Sequence, residues 1–458
     1  MKKVYYFLFA ALSLASCSSE DDFETTGNNS TDVTSNLSNP EIRSYDEALT
    51  IAKDAISMLE EDENTTRSGE PSRTINLANG VKTYSKNVTR SDGSVSNDPL
   101  LYVFNFNDDN GFAVVSANRA TEGLLAVVEN GSYDPNSKWD DSSFANECLE
   151  NLKKYAEKAK SADKGVTRSA SSQVSGVSSQ YSNSEYDVWK EKVIINKIAP
   201  KLKVEWGQRG DIASWCPNKI AGSGPIALAQ IMSFHKWPRH INLTHLDNRD
   251  CYQNWELMVT YKNSNAKIPS SFVQFPAFIR EIGHRTGAKY MANQTITDIS
   301  KLRSFMISQQ YAVSDLFTLD LRAGVHSRGL TDMIKKLTNM SFIVVQANSV
   351  TKSGNTHTFV IDGCDYYYRT EMVYKKGTRE LVEGSITYNY LNHINWGEGG
   401  TYNGYYSVYA LTEPTDEVFW LRDWNVTGDI TNPNSGYFEG ETSPTYDERT
   451  LKYFSTGR

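Results

Sequence analysis

The sequence holds little of what marks the more specialised classes of protein. Only 5 cysteines and 7 histidines are spread over 458 residues. Beyond Cys17 the thiols stand at Cys148, Cys216, Cys251 and Cys364, a spacing that matches neither a zinc site nor a CxxC redox pair. No metal and no organic cofactor is implied, and four remaining thiols permit disulfides without requiring any. Positive charge is not concentrated either. Lys and Arg number 47 against 55 Asp and Glu, a formal net charge of −8, and no basic stripe runs along any segment. That argues against nucleic acid as a partner. After the first residues, no apolar run approaches the roughly 20 residues that a membrane-crossing helix needs.

What is present is length and aromatic content. A chain of 458 residues exceeds one ordinary core, so two domains are expected. Aromatics make up 12%, with 26 Tyr and 9 Trp. The opening residues stand apart from any fold. Met1-Lys2-Lys3 is positive, Val4 to Leu14 is a short apolar stretch, and small residues follow to Cys17, the layout of an export signal. Leu14-Ala15-Ser16-Cys17 resembles a bacterial lipobox, which makes Cys17 the lipidated residue. The polar run Ser18–Asp22 resembles the acidic tether of exported lipoproteins in Gram-negative bacteria of the Bacteroides group. The expected location is therefore the outer membrane or the cell surface.

Composition divides the rest. Residues 1–17 are the signal and lipobox, and residues 18–40 are a Ser/Thr/Asn/Asp-rich tether that cannot bury a core. A small α+β domain is expected over 41–155. Its helix is Asp46–Glu60, with Ala48, Ile51, Ala52, Ile56 and Leu59 at helical spacing. Its clearest hairpin pairs Leu101–Phe106 with Phe112–Ser116 around the turn Asn107-Asp-Asp-Asn-Gly111, and a strand at Leu124–Val128 follows. Residues 156–190 read as a linker with a processing site, rich in Ser, Gly and Gln from Ser169 to Ser182. Residues 191–430 return to aromatic and aliphatic segments, and 431–458 read as a loosely packed tail.

Three places in the second half can carry chemistry. Gly222-Ser223-Gly224-Pro225 opens a helix that runs toward Pro238, so Ser223 sits at its positive end. Such a place favours an anionic nucleophile or a bound oxyanion, although capping is the commonest task of a serine there. Upstream, the loop Trp206-Gly-Gln208-Arg-Gly210 offers one amide. Downstream, His357 stands at the start of the strand Thr358–Gly363, where a general base is well placed. A single histidine at a strand start is more often structural. Last comes Asn392-His393-Ile394-Asn395-Trp396-Gly397-Glu398-Gly399-Gly400, whose Asn-Trp pair could orient and cover an imidazole.

Nucleophile at a helix start, histidine far downstream and Asn-Trp-Gly later still is the order of papain-like thiol peptidases. More specifically, the chain resembles the streptopain family of secreted bacterial cysteine peptidases made as zymogens. The matching motifs are Glu205-Trp-Gly-Gln208, Ala229-Gln-Ile-Met232 with His235-x-Trp-Pro238, and Gly283 near Tyr290. His357-x-Phe-Val-Ile-Asp-Gly363 and Asn395-Trp-Gly-x-Gly-Gly400-x-x-Asn-Gly404-Tyr405 complete the set. The amino-terminal segments Tyr102–Phe106, Gly111–Ala117 and Glu129–Ser132 look like that family's propeptide, so the resemblance covers about residues 41–425. It implies an α+β architecture, a papain-like cysteine peptidase fold preceded by a small α+β propeptide domain. It also implies protein or peptide substrates, and a prodomain that covers the cleft and leaves after processing.

Carried over residue by residue, the resemblance makes Gln208 an oxyanion donor and His357 the general base, with Asn395 and Trp396 supporting that histidine. Ser223 falls at the position of the nucleophilic cysteine, seven residues before Gln230 as in the family. Cys216 lies a full loop upstream and is a poor substitute. Two further departures accompany the serine. Thr356 replaces the family's usual glycine before the histidine, and Glu398 replaces the tryptophan of Trp-Gly-Trp-Gly-Gly. Three readings stay open from the residues: a cysteine peptidase silenced by a serine at 223, a homologue that binds peptides or inhibits related enzymes without cutting, and a serine peptidase on a thiol scaffold.

Overall fold

The first helix, α1 (Tyr45–Glu63), starts where two residues satisfy each other's backbone donors. The Ser44 N–H donates to Glu47 Oε2 at 2.9 Å and the Glu47 N–H to Ser44 Oγ at 3.3 Å, a reciprocal cap that fixes the entry of the chain. Strands β1 (Val81–Ser85), β2 (Pro99–Asn105), β3 (Phe112–Ser116) and β4 (Leu124–Val128) then form an antiparallel meander, and α2 (Phe144–Ala162) follows. The apolar run in β2 is continuous because both faces of the meander are covered. Tyr102 and Phe104 share a cluster with Ala52, Ala55 and Ile56 of α1, while Leu101 and Val103 share another with Leu149 and Leu152 of α2.

The second half contributes β5 (Tyr186–Ile198), α3 (Ser223–His235), α4 (Trp255–Met258), α5 (Gln274–Arg285) and α6 (Ile299–Ser308). Strands β6 (Ala312–Val313), β7 (Phe317–Asp320), β8 (Ser341–Asn348), β9 (Thr356–Lys375), β10 (Leu381–Asn395), β11 (Gly404–Ser407) and β12 (Thr450–Gly457) complete it. The computed structural model describes residues 42–63, 73–78, 80–86, 88–89, 95–96, 98–119, 121–137, 143–162, 185–263, 266–320, 336–338, 340–348, 356–407 and 450–457. The signal segment, Cys17, the tether and the interior of the expected linker lie outside the described residues. Among those residues, no helix is long and apolar enough to cross a membrane.

These twelve strands lie in one sheet, in the order β1-β2-β3-β4-β11-β10-β9-β8-β12-β6, with β5 beside the outer part of β9 and β7 beside β12. The meander therefore continues directly into the second half through β4 and β11, where Val128 faces Gly404 and Ala126 faces Tyr406. Gly404 is needed there, since a Cβ at this position would strike the Val127 carbonyl. Strand β8 shows how the sheet serves two cores at once: Phe342 and Val344 join the cluster around α3, α5 and α6, and Ile343 and Val345 join that of α2. The mixture of helices with a largely antiparallel sheet agrees with the α+β expectation.

Two boundaries differ from the expectation. The linker is shorter than 156–190, because α2 continues to Ala162 and β5 begins at Tyr186. Within the expected tail of 431–458, residues 450–457 form a packed strand, and residues 431–449 lie outside the described residues. Strand β12 pairs with β8, β6 and β7, and Phe454 is fully buried among the residues around α3. Pro-, Gly- and Thr-rich composition upstream masked the β-prone run Leu451-Lys-Tyr-Phe-Ser-Thr456.

Candidate active site

Helix α3 is buried along almost its whole length, from Ser223 to Ser233, as expected of a central helix apolar on every side. Its entry is tight. Gly222 precedes it at φ 90, and a Cβ there would lie 2.9 Å from the Thr295 carbonyl. Ser223 is the first helical residue, so its N–H has no acceptor within the helix and points with the helix's positive end toward the site. Its hydroxyl accepts from the Thr358 N–H at 3.0 Å. That bond places Ser223 against the residue that follows His357, with both side chains largely buried.

His357 enters the sheet at the start of β9, opposite Ala347 on β8. Its Nε2 lies 2.8 Å from the Trp396 carbonyl oxygen. A carbonyl only accepts, so Nε2 carries the proton and Nδ1 is the ring's acceptor. The turn that aims this carbonyl is built by side chains of the same motif. The Asn403 amide oxygen accepts from the Trp396 N–H at 3.0 Å, and the Trp396 indole N–H donates to the Tyr402 carbonyl at 3.0 Å. The indole itself is fully buried, 4.9 Å from the Phe359 ring centroid and 5.4 Å from that of Tyr406.

The Asn395 side chain bonds to groups other than the His357 ring. The amide oxygen accepts from Gln230 Nε2 at 3.1 Å and from the Gly397 N–H at 3.0 Å, and the amide nitrogen donates to the Val204 carbonyl at 3.2 Å. Trp396 meets the imidazole through its main chain rather than by lending a hydrogen bond from the ring. Gln230 completes a bracket, since its Oε1 accepts from the Trp206 N–H at 3.1 Å. One glutamine on α3 therefore ties the Trp206–Gln208 loop and the Asn395–Trp396 turn to the helix that carries Ser223. Replacing Gln230 by leucine leaves the buried Trp206 N–H without its acceptor. We expect a loss of about 2–3 kcal/mol in chemical denaturation of the full chain.

Gln208 lies beside this assembly. Its main-chain carbonyl accepts from the Ala221 N–H at 2.8 Å, and the neighbouring Gly207 forms a bridge with Glu398. Its side chain makes no hydrogen bond to the described residues. Cys216 stands apart, buried near Tyr290 and Arg280, and burial pushes its thiol up to about 11. Cys148, Cys251 and Cys364 are buried as well.

The first half of the chain reaches into the same place. Phe144, the first residue of α2, stacks on the His357 ring at 5.3 Å and 13°. Ser143 donates its hydroxyl proton to Glu398 Oε2 at 2.6 Å, while Glu398 Oε1 lies 3.8 Å from His357 Nε2. Sequence reasoning missed these contacts, because nothing in the spacing of Ser143 and Phe144 announces a partner more than 200 residues away.

A second polar cluster sits behind the turn and was also missed. His393 Nδ1 meets Asp362 Oδ1 at 2.5 Å, and Nε2 meets Glu129 Oε1 at 2.9 Å. Asp362 Oδ2 accepts the N–H groups of Lys201 and Leu202 at 2.9 and 2.8 Å. Burial alone would lower His393, but the carboxylates of Asp362 and Glu129 outweigh it and raise the imidazole to about 10. For Asp362, burial pushes upward. The His393 charge and its hydrogen bond, with the Leu202 N–H, overcome this and hold the carboxyl below its ordinary range. The signal was available: Asp362, His393 and Glu129 each interrupt or end an apolar strand, where a charged residue needs a partner.

With this geometry in place, comparison with known proteins gives a consistent result. The model of the peptidase C10 family matches residues 189–406, and that of the Spi protease inhibitor matches residues 34–156. No curated protein matches the chain. Among solved structures, a mutant fragment of prointerpain A from Prevotella intermedia is similar, with 15% identity over 74% of this chain and 95% of that one and a TM-score of 0.40.

Proposed function

Since the chain belongs to the peptidase C10 family, the streptopain family, with an inhibitor-type prodomain ahead of its peptidase segment, we propose that it is the zymogen of an endopeptidase whose nucleophile is the hydroxyl of Ser223. The observation that carries this reading is the bond from the Thr358 N–H to Ser223 Oγ at 3.0 Å. It brings the hydroxyl to the residue that follows His357, the proposed base, whose Nε2 is committed to the Trp396 carbonyl.

In the acyl-transfer step, Ser223 Oγ forms a bond to the scissile carbonyl carbon. The π pair moves onto oxygen, and the hydroxyl proton passes to His357 Nδ1. The free N–H of Ser223 holds the oxyanion at the helix end, with the Gln208 amide beside it. Collapse breaks the C–N bond, and the departing amine takes the proton from His357. Water then repeats the sequence and releases the acyl group. Latency follows from Phe144 on the imidazole and from β4 against β11. Cleavage in residues 163–184 would leave these as the contacts to be broken. Lipidation at Cys17 would tether the zymogen to the outer membrane or cell surface, from which processing releases the peptidase segment.

The test uses residues 18–458, unsubstituted and as Ser223→Ala and His357→Ala, with unfolded casein as substrate. Slow casein cleavage by the unsubstituted chain is expected, lost with either variant. A second reading has its own support: Ser143 and Phe144 sit on two site residues in the manner of a bound peptide. If all three forms leave casein intact yet bind it, the chain is a peptide-binding homologue that does not cut.

A further inference from the structure

We infer that Glu398 is a positioning residue for His357, completing a Ser223–His357–Glu398 arrangement in which the carboxylate faces the charge that the imidazole gains as a serine attacks. This rests on the serine-nucleophile reading above and gives a role to the other departure in the same cleft. Glu398 Oε1 lies 3.8 Å from His357 Nε2, with the glutamate side chain only 17% exposed. Its backbone is pinned by the bridge to Gly207, and its second oxygen is held by the Ser143 hydroxyl at 2.6 Å. The carboxylate therefore stands at the protonated nitrogen of the imidazole, the side away from the atom that takes the serine proton.

The chemistry explains why such a group belongs here. A thiol gives up its proton to an imidazole before attack, so the imidazolium exists in the resting state. A hydroxyl loses its proton only as the Oγ–C bond forms, and positive charge appears on the ring in the transition state. A carboxylate beside Nε2 stabilises that charge when it develops. The Trp396 carbonyl fixes the tautomer but carries no full charge, so it supplies orientation without this stabilisation. The donor now holding Glu398, Ser143, belongs to the prodomain. Its departure frees one carboxylate oxygen as the cleft opens, so exposure of the site and release of the carboxylate occur together.

The experiment measures kcat and KM on quenched-fluorescent casein for residues 18–458, after trypsin nicking within 163–184 where Lys164 and Arg168 stand. Glu398→Gln and Glu398→Asp are compared with the unsubstituted chain, and the same pair is made in the Ser223→Cys background. Melting curves confirm that each variant folds. Glu398→Gln should lower kcat about 100-fold with KM little changed, the range in which positioned acid–base groups act. Glu398→Asp should restore at least a tenth of the rate. The loss from Glu398→Gln should be at least tenfold smaller in the Ser223→Cys background. Equal losses in both backgrounds, or a loss confined to KM, would show a merely structural glutamate and overturn the inference. Activity that depends on Ser223 but not on Glu398 overturns it alone. Activity indifferent to Ser223→Ala overturns it together with the nucleophile assignment.

Discussion

Ser223→Cys in residues 18–458 is expected to raise casein cleavage by about 10³-fold and to bring on self-processing between the prodomain and β5. The physical basis is the difference between the two nucleophiles in one setting. A thiol ionises near pH 8.5 and moves lower beside an imidazolium at a helix end, whereas a hydroxyl gains little ionisation from the same surroundings. The surroundings proposed for the thiol are the first turn of α3, the imidazole with Nε2 bonded to the Trp396 carbonyl, and the N–H at 223 that has no acceptor within the helix. Time courses on denaturing gels give the result directly. If the cysteine form neither processes itself nor cuts casein, the scaffold has lost more than its thiol. Thr356 and Glu398 would then belong to a site no longer fit for cleavage. If both forms cut at similar rates, the arrangement around His357 is already tuned to the hydroxyl.

Replacing His393 should have the largest effect on stability. The imidazolium lies buried between Asp362 and Glu129, and Asp362 is wholly enclosed. His393→Ala removes the one positive charge bonded to the Asp362 carboxylate and leaves a buried anion with only backbone donors. The expected cost is about 3–5 kcal/mol in denaturant unfolding of the full chain. Because Glu129 lies on the prodomain side of the β4–β11 pairing, the same change also loosens the hold of the prodomain on the peptidase segment. The pH dependence carries a definite sign. His393 is raised in the folded chain to about 10, so its contribution is complete below the unfolded value near 6.5 and is lost as pH rises through 10. The contribution of His393 to stability should therefore fall between neutral pH and pH 10 by on the order of 4 kcal/mol, read as the difference between the pH curves of the unsubstituted chain and His393→Ala. Asp362 works in the opposite direction. Its lowered value gives stability that is present above the ordinary carboxylate range and lost in acid.

Much of the site was legible because its residues sit in motifs whose local geometry is short-range. Gly222-Ser223 at a helix start, His357 at a strand start and the glycine-rich turn after Trp396 each follow from neighbouring residues. The partners of Asn395 were not legible for the opposite reason. Sequence placed an amide beside the tryptophan, but which way that amide points depends on Gln230, 165 residues away, whose own second atom is needed by Trp206. Strand β12 was misread because a strand far from its partners has no local signature beyond its β-prone side chains, and its core place is fixed by pairing with β8 more than 100 residues earlier.

By itself, then, the sequence carried the family resemblance in its motifs and located the serine, the histidine and the Asn-Trp turn at a helix start, a strand start and a glycine-rich turn, since these depend on glycine placement and residue order. Only the tertiary structure decided that the prodomain and peptidase strands form one sheet and that Phe144 lies on His357. It alone made Trp396 act through its carbonyl, and brought Glu129, Asp362 and His393 to one point. Each of those is a contact between distant segments. Its energy comes from burial and charge pairing that exist only once the chain has closed, and no stretch of neighbouring residues carries it.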